Sequence, residues 1–172
     1  SELPWIKRCI DLDGGLWNKT DARTKDAILL GIKSGDIWLN KIKYDNNGKR
    51  IYGNVCLEVY LPSRGTCLLQ HVNLSACTID DIATGFTEGM LELCELHSRT
   101  GVGATGEYLP ADLDRQVGLG MLGLANLLRK YKVTYEQFGV ALAKRLNGEM
   151  VETVADAIAQ QLEKGIELAA EI

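Results

Sequence analysis

The distribution of strand and helix patterns along the chain limits the folds that it can adopt. Residues 50–61 and 67–75 are β-prone, and Pro62-Ser63-Arg64-Gly65 provides a turn between them. From Thr134 to Ile172 the pattern is helical, with a break near Asn147-Gly148. Strands followed by helices indicate an α/β, helix-rich protein, but two or three strands are too few to cover four or five helices. The pattern therefore predicts a section of a larger sheet or barrel.

Capping residues and apolar spacing predict the limits of the helices. One helix is expected over about residues 21–34, with Thr20 as its N-cap and Gly35 as its stop. A second should run to about His97, and its candidate N-caps are Thr78 and Asp80.

The helical C-terminal region begins with a capping box formed by Thr134 and Gln137. Its last helix carries an apolar stripe that needs a partner, and the stripe consists of Val151, Val154, Ile158, Leu162, Ile166 and Ala169.

Composition and charge exclude several classes of protein. The 172 residues, 46% hydrophobic and 24% charged, suit one soluble globular domain. Because the net charge is −4 and the basic residues are scattered, a nucleic-acid surface is not expected. No apolar run reaches the length of a membrane span, and the N-terminal sequence resembles no targeting signal. We therefore expect a cytoplasmic protein with no membrane partner.

The cysteines and histidines do not suggest a metal site. The chain has five cysteines, none of them in CxxC spacing, and two histidines, His71 and His97. This spacing argues against a zinc site of the usual kind. The segment 67–75 is apolar on both faces, which predicts a strand covered on both sides, with His71 as a core histidine. His97 would end a helix, where a cation is mildly favoured.

Two GxGxxG strings raise the question of a nucleotide site. Such a site needs a strand before the glycines, a helix after them and an acidic residue about twenty positions later. Residues 101–106 lie between a helix and a proline, so they fail this test. Residues 118–123 can join a strand to a helix, but Glu136 lies at a helix start. Close packing of a helix on a strand is the favoured explanation, and nucleotide binding stays a weaker alternative.

Reactive side chains are concentrated in Gly53–Pro62. In an extended chain Asn54, Cys56 and Glu58 would share one face, because side chains alternate. A carboxylate disfavours a thiolate beside it, and neither histidine is obviously placed to act as a base, so a cysteine nucleophile is disfavoured. The row suits a neutral thiol that exchanges a hydrogen atom, next to an amide and a carboxylate base. The alternative is an edge strand that is polar on one face and has no catalytic role.

At these residues a family resemblance becomes visible. Asn54-Val55-Cys56-Leu57-Glu58-Val59-Tyr60-Leu61-Pro62, followed by Cys67 and by Val72-Asn73-Leu74, resembles the active-site segment of the ribonucleotide reductase large (catalytic) subunit. Downstream, residues 115–125 resemble that family's glycine-rich segment in the same order, with Gln116 where the family usually has proline. The resemblance covers roughly residues 30–172.

The resemblance implies a role for each matched residue. Cys56 would be the thiyl radical that takes the 3′ hydrogen of a ribonucleotide, and Glu58 the base for the 3′-hydroxyl proton. Asn54 would bind the substrate hydroxyls and order Glu58, and Cys67 would be one of two reducing thiols. The implied fold is part of a ten-stranded α/β barrel, with a finger loop over about residues 50–66 and residues 1–172 as a single partial domain.

The resemblance also implies partners. The family's second reducing cysteine has no counterpart here, since Cys9 has a different context, and the substrate-phosphate loop and the effector region have no match either. We therefore expect a piece of an oxidoreductase of deoxyribonucleotide biosynthesis that is inactive alone and needs the remaining parts of the catalytic subunit. This segment would bind no cofactor or metal directly. The full enzyme would need a radical source, either a metal-bearing small subunit or adenosylcobalamin, and the sequence leaves that choice open.

A second hypothesis is non-enzymatic. The chain would then be a helix-rich remnant that self-associates as a homo-oligomer, or complements a split enzyme, through apolar surface left uncovered.

Overall fold

The chain has a mixed α/β fold, so the predicted class is confirmed. The computed structural model describes residues 8–54, 56, 58–100, 108–149 and 152–172. The chain divides into two compact units, Ser1–Gly65 and Thr66–Ile172. The described strands form three small sheets, none of which closes into a barrel. The single partial domain expected for residues 1–172 stays a prediction.

Two parallel strands and two helices open the N-terminal unit. β1 (Arg8–Asp11) and β2 (Ile37–Asn40) pair in register, and their last residues, Asp11 and Asn40, are partners. Between the two strands lie α1 (Gly14–Lys19) and α2 (Ala22–Ser34). This β-α-α-β order places the carboxyl ends of both strands at the same edge of the sheet.

The N-cap of α2 is Asp21, so the prediction of Thr20 is wrong by one residue. The Asp21 carboxylate accepts hydrogen bonds from the Thr24 backbone N–H (2.9 Å) and hydroxyl (2.7 Å), and these bonds lower its pKa. Thr20 instead closes α1 by donating its backbone N–H to the Trp17 carbonyl at 3.1 Å. The predicted stop at Gly35 is confirmed by its left-handed φ of 78°.

Three short antiparallel strands complete this unit: β3 (Lys43–Tyr44), β4 (Arg50–Gly53) and β5 (Tyr60–Leu61). The continuous strand predicted over residues 50–61 is wrong. Gly53 pairs with Tyr60 in an antiparallel ladder, so the chain reverses direction between β4 and β5. The segment between them is the loop of a hairpin.

The second unit is a parallel strand pair with helices. Its strands are β6 (Cys67–Asn73) and β7 (Gln116–Leu122), which pair from Cys67 opposite Gln116 to Asn73 opposite Leu122. A 3-10 turn (Leu74–Ala76) follows β6. The helices are α3 (Ile82–Arg99), α4 (Leu124–Lys130), α5 (Tyr135–Leu146) and α6 (Val154–Glu171).

Among the described residues, one face of the β6–β7 pair is covered and the other is open. Val72 is buried against α3, where Gly89 has no side chain and a Cβ there would lie 3.7 Å from Val72 and 3.2 Å from Leu119. On the opposite face His71 is exposed, and Leu69 is 54% exposed. The predictions of a strand covered on both sides and of a core histidine at position 71 are therefore wrong, because the packed helices lie on one side.

The core of this unit lies between α3, α4 and α6. Ile158, Leu162 and Ala169 of the predicted stripe are buried, whereas Val154 and Ile166 are about half exposed. Val151 lies outside the described residues. The buried face of α6 is thus rotated relative to the predicted stripe and contains small residues, because α6 approaches α3 closely at Gly165.

Local capping in this unit is confirmed at one helix and corrected at another. The Thr134–Gln137 capping box is present, with bonds of 2.9 and 3.1 Å between side chains and backbone. The residue that precedes α3 is Asp81, so Thr78 and Asp80 are wrong as its N-cap. The Asp81 carboxylate accepts bonds from the Thr78 hydroxyl (2.6 Å) and backbone N–H (2.9 Å), which lower its pKa.

Within the described residues, we find no helix with the length and apolar character needed to cross a membrane.

Candidate active site

The three candidate residues of the N-terminal unit lie in the loop between β4 and β5. Asn54 follows directly on β4 and is half-buried, while Cys56 and Glu58 are exposed. The expectation that they share a face by strand alternation is wrong, since the ladder from Gly53 to Tyr60 folds this segment into a hairpin loop. An exposed loop held by a strand pair is a common setting for reactive side chains.

Asn54 and Glu58 are in direct contact. The Asn54 side-chain Nδ2 donates a hydrogen bond to Glu58 Oε1 at 2.6 Å, and Asn54 Oδ1 accepts a long bond of 3.5 Å from the Val59 backbone N–H. The amide therefore bridges the loop and orients the carboxylate. An amide nitrogen has two hydrogens and a carboxylate about four acceptor positions, so both groups retain capacity for a ligand.

The remaining candidate, Cys67, is the first residue of β6 in the second unit. It is half-buried and lies opposite Gln116 on β7. The structure thus brings Asn54 and Glu58 together and puts Cys56 in the same loop. The catalytic roles of these residues and of Cys67 stay predictions.

Each described glycine of the 118–123 string is explained by a neighbour from β6 or the turn after it. A Cβ on Gly118 would lie 2.5 Å from Leu69 Cδ2, and one on Gly120 would lie 2.8 Å from His71 Cδ2. Gly123 has a φ of 78° and approaches the Ser75 backbone nitrogen. Residues 118–123 do join a strand, β7, to a helix, α4. The prediction that a helix packs closely on Gly118 and Gly120 is wrong, because their close neighbours are side chains of the adjacent strand β6. The other string, residues 101–106, lies outside the described residues.

The two histidines differ in burial: His71 is exposed and His97 is buried. His97, in the last turn of α3, is 1% exposed, and neither ring nitrogen has a hydrogen-bond partner among the described residues. The predicted position of His97 at a helix end is confirmed, whereas its burial was not predicted.

The Cys77 thiol lies directly after the 3-10 turn. Its burial and, to a smaller extent, the nearby Asp81 carboxylate raise its pKa. In the part of the chain that the structure describes, no cluster of three or more His, Cys, Asp or Glu side chains is arranged to hold a metal ion.

The sequence did not single out the charged and aromatic residues around the base of the hairpin. Lys43 lies 4.3 Å from the centre of the Tyr60 ring, and Arg50 forms an ion pair with Asp11. The position of Asp11 at the carboxyl end of a parallel strand is the one signal that could have indicated a site here.

No protein-family model matches the chain, and no curated protein matches it.

Proposed function

We propose that the chain is an internal segment of the catalytic barrel of a ribonucleotide reductase large subunit, and that residues 50–66 form its finger loop. The observation that carries this proposal is the 2.6 Å hydrogen bond between Asn54 and Glu58 in a hairpin loop that also carries an exposed Cys56. The resemblance assigns these three residues to one reaction, and the loop keeps the amide and the carboxylate in contact.

The proposed reaction is the reduction of a ribonucleotide to a deoxyribonucleotide. The Cys56 sulfur radical takes the 3′ hydrogen atom, so a C–H bond breaks and an S–H bond forms. Glu58, oriented by Asn54, accepts the 3′-hydroxyl proton. Replacement of the 2′ hydroxyl by hydrogen, with release of water, consumes two electrons and two protons, which come from Cys67 and a second thiol elsewhere in the catalytic subunit as they form a disulfide. Glu58 then returns its proton to the 3′ oxygen, and Cys56 returns the hydrogen atom to C3′, which restores the sulfur radical. Cys56 would receive its radical from outside this segment, by way of a metal-bearing partner subunit or adenosylcobalamin.

The open face of the β6–β7 pair supports a larger barrel. Parallel strands are normally covered on both faces, yet Leu69 is 54% exposed on this one. In the proposed ten-stranded barrel, strands from the rest of the catalytic subunit would complete the sheet to which β6 and β7 belong.

Complementation tests this function. The chain alone should give no turnover, and mixing it with the remaining parts of a reductase catalytic subunit, a radical source and a reductant should convert labelled ribonucleotide to deoxyribonucleotide. Cys56→Ser should abolish turnover and leave the circular dichroism spectrum unchanged. Cys9→Ser, at the other exposed cysteine of the same unit, is the matched control and should retain activity. Turnover by the isolated chain, or by the Cys56→Ser variant, would refute the proposal.

A second candidate function, self-association without catalysis, is favoured by one apolar groove. The groove has a volume of about 510 Å³ and lies along α5 and α6. Leu146 on its border is 85% exposed and Ile166 is 50% exposed. Sedimentation velocity discriminates this candidate: a single monomer species at all concentrations would count against it, and Leu146→Asp should dissociate any oligomer that forms there.

A further inference from the structure

A cluster of polar side chains lies at the carboxyl ends of the two parallel strands of the N-terminal unit. Asp11 ends β1, Asn40 ends β2, and the two residues are partners in the ladder. Asn40 Nδ2 donates a hydrogen bond to Asp11 Oδ1 at 3.1 Å. The carboxyl edge of a parallel sheet is where α/β proteins place their ligands and functional loops.

Arg50, the first residue of β4, joins this cluster. Its Nη2 lies 2.6 Å from Asp11 Oδ2, which forms an ion pair without hydrogen-bond alignment. The Arg50 side chain is 24% exposed and that of Asp11 is 29% exposed. The guanidinium also lies 5.3 Å from the centre of the Tyr52 ring and 5.8 Å from that of Tyr44. A planar guanidinium can stack on aromatic rings and pair with a carboxylate at the same time, whereas a lysine ammonium is a point charge.

Gly53, the last residue of β4, lies close beside the Asn40 side chain. A Cβ built on Gly53 would lie 2.6 Å from Asn40 Oδ1 and 3.3 Å from Asn40 Cγ. Its backbone is not left-handed, so space for the Asn40 amide, and not conformation, is what favours glycine here. The next residue in the chain is Asn54.

We infer that Asp11, Asn40 and Arg50, here called the anchor cluster, position the loop that carries Asn54, Cys56 and Glu58. The Asp11–Arg50 ion pair joins the start of β4 to the β1–β2 sheet, and the Asn40 side chain lies close beside its end at Gly53. With an ion pair at one end of this short strand and close packing at the other, the direction in which Asn54 leaves β4 is restricted. The anchor cluster thus determines whether the Asn54 amide reaches Glu58. Its catalytic meaning rests on the proposed function, but its effect on the loop does not.

The test is the side-chain amide signal of Asn54 in nuclear magnetic resonance spectra of the full chain. In the wild type this signal should differ from the Asn54 signal of Glu58→Ala, because the two groups share a hydrogen bond that this variant removes. Gly53→Ala and Asp11→Asn should each move the Asn54 signal to its position in Glu58→Ala while the backbone signals of the β1–β2 ladder stay in place. Gly14→Ala, at a glycine with no heavy atom within 4 Å of the added Cβ, is the matched control and should leave the Asn54 signal unchanged.

A double variant separates positioning from folding. Asn40→Ala removes the side chain that a Cβ at position 53 would meet, so in its presence Gly53→Ala should have no further effect, and the double variant should show the Asn54 signal of Asn40→Ala alone. An Asn54 signal at its wild-type position in both Gly53→Ala and Asp11→Asn would overturn the inference. Loss of the β1–β2 signals in every variant that disturbs Asn54 would also overturn it, because the cluster would then only hold the fold together.

The complementation assay distinguishes failure of this inference from failure of the proposed function. If the wild-type chain gives no turnover with the missing parts supplied, but Gly53→Ala still uncouples Asn54 from Glu58, the reductase proposal fails and the positioning role stands. If the wild type is active and Gly53→Ala leaves both the position of the Asn54 signal and kcat unchanged, the positioning role alone fails.

Discussion

A methyl group added at Gly165 measures how closely α6 packs against α3. The new Cβ would lie 3.0 Å from Phe86 Cδ2 and 3.1 Å from the Ala83 Cα. Carbon atoms prefer separations of about 3.5–4.0 Å, so both contacts are too short by roughly half an ångström. Phe86 is only 2% exposed and the Ala83 Cα belongs to the backbone of α3, so relief requires a shift of one helix.

Two opposing terms decide the magnitude. Replacing glycine by alanine inside a helix stabilises the folded state by about 0.5–1 kcal/mol. Overpacking a close contact costs about 1–3 kcal/mol. We therefore expect Gly165→Ala to lower the free energy of unfolding by about 1 kcal/mol. Gly139→Ala is the matched control, because Gly139 lies inside α5 with no heavy atom within 4 Å of the added Cβ, and it should raise the stability.

Urea denaturation followed by far-ultraviolet circular dichroism provides the measurement. Since both variants make the same chemical change in a helix, the difference between their free energies of unfolding isolates the overpacking term, about 1–3 kcal/mol. With a slope of about 1–3 kcal/mol per molar urea, the two midpoints should differ by roughly 1 M. A Gly165→Ala variant as stable as Gly139→Ala would refute the close approach of α6 to α3.

Two further predictions concern local features of the second unit. Hydrogen bonds from Thr78 hold the pKa of Asp81 below its ordinary value of 3.8. The ionised carboxylate therefore stabilises the folded state at pH values above 3.8. This stabilisation is lost as the pH falls through the lower pKa of the folded state. Asp81→Asn should therefore flatten the acid side of the stability profile measured by urea midpoints, and an unchanged profile would contradict the assigned bonds. Gly123→Ala and Gly148→Ala should both be destabilised by left-handed strain of about 1–2 kcal/mol, since their φ angles are 78° and 76°. Gly123→Ala should lose more, because its Cβ would also lie 2.9 Å from the Ser75 backbone nitrogen, and equal losses would show that this contact is absent.

Features that depend on neighbours within a few residues could be predicted from the sequence. The Thr134–Gln137 capping box and the left-handed glycine that stops α2 both follow from the chemistry of one turn of chain. The N-cap of the same helix shows the limit of this reasoning. Thr20 and Asp21 both carry an oxygen that can cap, and only the bond from the Thr24 N–H decides between them.

Burial of the two histidines depended on packing that the pattern does not contain. The apolar residues around position 71 indicated a covered strand, but α3 lies on the face that carries Val72 and leaves the alternate face open. His97, in the last turn of α3, is buried, and nothing in the sequence pattern indicated this. The side of β6 on which α3 packs is set by tertiary structure, so spacing along the sequence could not predict it.

In the loop between β4 and β5, two residues that the wrong strand prediction placed on one face are in direct contact. Asn54 and Glu58 are four positions apart, and at about 3.3 Å per residue an extended strand would separate them by roughly 13 Å. At that distance the Asn54 amide could not orient the Glu58 carboxylate. A strand would therefore place the two side chains on one face but too far apart to act together. The pairing of Gly53 with Tyr60 turns the chain back, and the two side chains meet at 2.6 Å. An amide that orients a neighbouring base therefore requires the loop and excludes the strand. The close approach of Asn40 to Gly53, where the loop begins, bears directly on the proposed reaction for this reason.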